Sequence, residues 1–173
     1  GGGASIQGQG KYKIDAGHST TIYNGECVKI SSGYVVGGNG SAADIIGVLN
    51  GIFFNAATTL KPTFSNFYKA TITPANSEDT TAFVIDDPFQ QYVVGADDAT
   101  GVTTMLETYD MNTSAGSDTT GKSSATLDTS VTDANGKQFR LIRSAEDPEN
   151  EDITAAFFSG IVVSNLNSYN GHN

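Results

Sequence analysis

The sequence predicts an all-β fold: a small barrel or sandwich of short antiparallel strands, with long polar loops and a flexible N-terminal arm. Three observations predict it. Apolar runs are short and rich in β-branched and aromatic residues. Turn signals separate them at close intervals. No stretch carries a helical apolar period of useful length, and the many Gly, Thr, Ser and Asn residues suit helices poorly. At 173 residues the chain fits one domain. The expected organisation is an arm over 1–11, a single β domain over 12–166 and a mobile tail over 167–173.

In chain order, the arm runs Gly1-Gly2-Gly3-Ala4-Ser5-Ile6-Gln7-Gly8-Gln9-Gly10, with too little apolar content to order itself. Asn24-Gly25 is a tight-turn dipeptide. Cys27–Ile30 and Tyr34–Val36 flank Ser31-Ser32-Gly33 and predict a hairpin. Residues 37–44 are a loop by composition. Ile45–Phe54 is the most apolar stretch, and Gly47 and Gly51 within it predict a bulge or sharp bend. Phe64, Phe67 and Tyr68 lead to a turn over Pro74–Asp79.

Ala82–Ile85 and Tyr92–Val94 are strands on either side of the acidic corner Asp86-Asp87-Pro88. Pro88 lacks an N–H for a ladder and belongs in the corner. The corner is either a carboxylate pair for a metal or catalysis, or a structural bend. Neighbours in a strand point to opposite faces, which favours the bend. One Asp is then expected to accept turn hydrogen bonds, and Tyr92–Val94 to return into the same core. Later strands are expected at Val102–Tyr109, Ala125–Leu127, Phe139–Arg143 and Ala155–Val163.

Charge narrows the function. The formal net charge is −10 and the nine Lys and Arg residues form no basic stripe. Binding to nucleic acid or to an anionic membrane is therefore not expected. No apolar run approaches membrane-spanning length, and the first residues lack a signal-peptide pattern. The single cysteine, Cys27, excludes an intrachain disulfide and is expected to pack as a small apolar side chain.

Several motifs invite chemistry and fail on context. Gly116–Ser123 matches the phosphate-loop pattern G-x-x-x-x-G-K-S, but no apolar strand precedes it and a poor helix former follows. Gly38–Ala43 resembles a dinucleotide fingerprint, yet an apolar stretch with two glycines follows instead of a helix. Asp86-Asp87, Asp97-Asp98 and the acidic loop 146–152 have no calcium-loop spacing. His18 and His172 are too isolated for a zinc site or a triad. No catalytic, cofactor-binding or metal-ligating residue is assigned.

The order of the segments is itself informative. Gly25–Ile30 with Gly33-Tyr34-Val35, then Ile46–Gly51, Ala82–Pro88, Tyr92–Val94, Thr120–Asp128 and Phe139–Ile142 resemble the capsid decoration (cement) proteins of tailed bacteriophages, of the marine and cyanobacterial phage type. The resemblance spans about residues 22–163. The apolar-Asp-Asp-Pro corner and the Thr-Gly-Lys-Ser segment are its more specific parts. It implies a non-enzymatic virion protein without a cofactor, made in the host bacterial cytoplasm and seated outside an icosahedral shell. Its implied partners are the major capsid protein and itself, as a homo-oligomer with a trimer as the expected form. Candidate contacts, chosen on segment character, are Ile6 and Tyr12 of the arm region and the aromatics Phe64, Phe67 and Tyr68, expected to be exposed. The rivals are a phage fibre, spike or carbohydrate-binding β module, and a nucleotide hydrolase acting through residues 116–123.

Overall fold

Two antiparallel sheets carry the chain in a computed structural model, which describes residues 8–40, 44–113 and 116–169. The first sheet holds β1 (Gly10–Ile14), β2 (Cys27–Ser31), β3 (Tyr34–Gly37), β4 (Gly47–Asn55), β5 (Pro62–Ser65) and β6 (Thr80–Ile85). Its order is β1-β6-β4-β2-β3, with β5 paired to the far end of β4. The second sheet holds β7 (Gln91–Gly95), β8 (Thr108–Tyr109), β9 (Phe139–Ser144) and β10 (Ser159–Ser164), in the order β7-β10-β9-β8. The only helical elements among the described residues are two three-residue 3-10 turns, Ala75–Ser77 and Val102–Thr104. The all-β expectation holds. Neither sheet closes into a barrel, so the architecture is sandwich-like.

The predicted hairpin forms as β2 and β3. Ser31 pairs with Tyr34 across a two-residue turn in which Ser32 and Gly33 take φ of +51° and +87°. Both central residues are left-handed, as a tight hairpin turn requires. The predicted bulge forms between Leu49 and Gly51, where the β4–β6 register shifts. Gly47 is fixed by close approach: a Cβ there would lie 2.0 Å from the carbonyl oxygen of Ile85.

Two apolar cores result. One gathers Ile14, Ile22, Val28, Val35, Ile46, Leu49, Ile52, Tyr68, Ala82 and Val84. The other gathers Cys27, Ile45, Ala96, Tyr109, Met111, Leu127, Phe139, Leu141, Ile153, Phe158 and Val162. Successive strand residues point to opposite faces. Cys27 and Val28 therefore serve different cores, and so do Ile45 and Ile46. This shared wall is where the sheets join. Gln138, fully buried, bridges it: its amide donates to the Gly38 carbonyl at 2.6 Å and its oxygen accepts the Met111 N–H at 3.1 Å.

Several expectations are corrected. Val102–Tyr109 is not one strand. The Thr104 hydroxyl donates to the Gly101 carbonyl at 2.8 Å and lies 3.2 Å from the Gly101 N–H, which it accepts, so residues 101–104 fold into a turn. Ala155–Phe158 stay outside β10 because Asp152 holds Thr154 in a turn and Phe157 is left-handed at φ +64°. Ala125–Leu127 gives only bridges, from Leu127 to Ala96 and Met111. Gly10 and Lys11, expected in the arm, belong to β1 and pair with Val84 and Phe83, while residues 1–7 lie outside the described residues. Asn167 and Ser168, expected in the tail, are held by the fold: Asn167 is buried, and Ser168 donates its N–H to the Ile45 carbonyl at 3.0 Å. Residues 170–173 lie outside the described residues.

Candidate interaction surface

The acidic corner carries the chain from one sheet to the other. The Asp87 carboxylate turns inward on the corner and accepts the Phe89 N–H at 2.9 Å, while its carbonyl accepts the Gln90 N–H at 3.1 Å. Asp86 points elsewhere and accepts the Tyr12 hydroxyl at 2.7 Å. The two carboxylates thus serve separate structural bonds. Burial raises the Tyr12 phenol above its ordinary pKa, reinforced by hydrogen bonds with Tyr169 and Asp86. Tyr92 donates to the Ile85 carbonyl at 3.2 Å and is pushed up to about 12, by burial first and then by Asp87 and Asp86. Tyr92 and Val94 pack against the second core, whereas Ala82 and Val84 lie in the first, which corrects the expectation of a shared core.

The other carboxylate pair is equally occupied. Asp97 accepts the N–H and the hydroxyl of Thr129, each at 2.9 Å, and Asp98 accepts the Ala99 N–H at 2.7 Å. Among the described residues, no group of three or more His, Cys, Asp or Glu side chains is placed to hold a metal ion. The phosphate-loop look-alike is a turn. Ser117 accepts the Gly121 N–H at 2.6 Å, Gly121 is left-handed at φ +70°, and Lys122 bridges to Asn24 with no helix behind it. A phosphate cradle needs that helix start. Cys27 is buried in the second core, as expected, and burial and then the Glu26 charge push its thiol upward. His18 stands against Tyr68 with ring centroids 5.5 Å apart, and burial lowers its pKa. His172 lies outside the described residues. An open groove of about 480 Å3 is lined by His18, Thr20, Thr21, Tyr23, Glu26 and Asn39 among others.

The candidate contact residues separate by environment. Ile6 lies outside the described residues. Tyr12 is half-buried and bonded to the corner. Phe67 is half-buried and stacks on Tyr23, with centroids 5.8 Å apart and planes 3° apart. Tyr68 is not exposed. Reciprocal backbone bonds with Ile22, both 2.9 Å, turn its ring into the first core, where its hydroxyl donates to the His18 carbonyl at 2.9 Å. Phe64 is exposed, at 73% of its surface.

Phe64 belongs to a patch that sequence order conceals. Along β6, Thr80, Ala82 and Val84 point inward, so Thr81, Phe83 and Ile85 face outward. The register then aligns Lys13, Thr81, Phe53 and Phe64 across four strands, with Lys11 beside Phe83 in the next row. Phe53 and Phe64 meet at 4.8 Å between centroids, and Phe64 stacks near Phe83 at 6.4 Å. Strand alternation at Lys11 and Lys13, and at Thr81 and Phe83, was the available signal. Pairing across strands was not. Comparison with protein-family models, with curated proteins and with solved structures returns no match.

Proposed function

We propose that this chain is a capsid decoration protein: it binds the outer surface of an icosahedral phage shell, acts without catalysis and stabilises the assembled particle as a homo-oligomer, with a trimer as the expected form. The observation that carries the reading is the ordered resemblance over residues 22–163. The segments that carry it supply β2, β3, β4, β6, β7 and β9, the frame of both sheets. A protein that binds assembled shells and not free subunits stabilises the shell by mass action. Several linked copies add avidity without tight single contacts. Purified protein is expected to cosediment with mature capsids. Intact folding with no binding to shells sinks the reading.

The rival is a carbohydrate-binding module. It is favoured by one observation: exposed Phe64 beside the amides of Gln9 and Asn50, which hydrogen-bond at 3.0 Å. A glycan array separates the two, since the decoration reading predicts no sugar binding.

A further inference from the structure

We propose that the outer face of the first sheet, formed by Lys11, Lys13, Phe53, Phe64 and Phe83, docks a second copy of this chain through that copy's acidic β9–β10 connection. The face is apolar at its centre. Phe64 and Phe83 flank a groove of about 280 Å3 at Gly51, which puts no side chain into it, and Gln9, Asn50 and Ser65 complete the lining. Phe64 is exposed, with Phe53 and Phe83 half-buried beside it, and such an aromatic cluster around a cleft with polar neighbours is the pattern of a protein interface.

Charge names the occupant. Lys11 and Lys13 border the rings through Phe83 and Thr81. Neither has an ion-pair partner among the described residues, whose two salt bridges use Lys69 and Lys137. Lys13 donates to the Thr81 hydroxyl at 3.3 Å, and cations without a carboxylate partner beside an apolar face select an acidic partner. This chain, at net −10, offers one. Residues 146–152 hold five carboxylates. Asp147 and Asp152 cap local turns, whereas Glu146, Glu149 and Glu151 are exposed and outside both salt bridges. Phe157, on the same connection, is 71% exposed and fits the role of the inserted side chain. Donor and acceptor surfaces lie on different sheets. The contact is therefore head-to-tail, and it builds a ring where its rotation closes. The inference rests on the homo-oligomer part of the proposed function, but its test involves no capsid.

Sedimentation velocity of the full chain at low and high salt is the test. The wild type is expected to self-associate, more weakly at high salt. Phe64→Ser, Lys11→Glu with Lys13→Glu, and Glu149→Lys with Glu151→Lys are each expected to raise the dissociation constant at least about tenfold, with unchanged circular dichroism. Mixing the two charge-reversed variants is expected to restore association, since the reversed loop of one fits the reversed face of the other. A monomeric wild type at all concentrations overturns the inference. So does an oligomer that survives these substitutions, or a mixture that stays monomeric. Capsid binding by a monomeric wild type would leave the capsid-binding part of the proposed function standing, and refute both its homo-oligomer part and this inference.

Discussion

The Tyr12 hydroxyl donates to Asp86 Oδ2 at 2.7 Å and so ties the first strand to the corner between the two sheets. Asp86→Ala removes a half-exposed acceptor and is expected to cost about 1 kcal/mol. Tyr12→Phe should cost a similar amount, and the double variant less than the sum of the two, because they share one bond. Urea unfolding measures all three. If Asp86→Ala instead leaves stability unchanged and abolishes a metal-dependent property, the corner is a site and not a bend.

Among the described glycines, Gly47 has the least room for a side chain. A Cβ would meet the Ile85 carbonyl at 2.0 Å, and that atom belongs to the paired strand. Gly47→Ala is expected to destabilise by about 2–3 kcal/mol, read as a lower urea midpoint. Gly33→Asn, at a turn position with nothing within 4 Å, should stay within about 1 kcal/mol of wild type.

Two neighbouring aromatics should behave in opposite ways. Tyr68→Ala empties a fully buried site and is expected to cost about 3–5 kcal/mol. Phe64→Ser, at an exposed site, should change stability by about 0.5 kcal/mol. Thermal melts of both variants check the contrast, and equal losses would contradict the assigned burial.

Glu26 predicts a pH effect. Burial raises its pKa from the ordinary 4.5, partly offset by the Tyr23 N–H that its carboxylate accepts at 2.9 Å. The folded chain then holds the proton more tightly than the unfolded chain. The stability linked to protonated Glu26 is fully present below pH 4.5 and is lost as pH rises through the folded value. Glu26→Gln keeps an acceptor and loses the charge. Its stability relative to wild type should therefore rise between about pH 4 and about pH 8. A difference that does not change with pH contradicts this account.

Local signals made much of the fold legible. Ser32-Gly33 set the hairpin, the glycines of Ile45–Phe54 set the bulge, and Pro88 set the corner, because turn and close-approach requirements act on single residues. What depended on distant partners was not legible. Tyr68 stands beside Phe67 in sequence, and only its bridge to Ile22 turns it inward while Phe67 stays half-buried. Gln138 reads as a surface residue next to Lys137, yet it holds Gly38 and Met111 from within. The Lys11, Lys13, Phe53, Phe64 and Phe83 face is assembled by register across four strands, and no single segment reveals it.

Calorimetric melting of mature phage capsids with and without added protein tests the decoration function most directly. The account predicts a higher shell melting temperature that saturates with added protein, with no change in free capsid subunits. An unchanged shell transition in the presence of excess folded protein would contradict it.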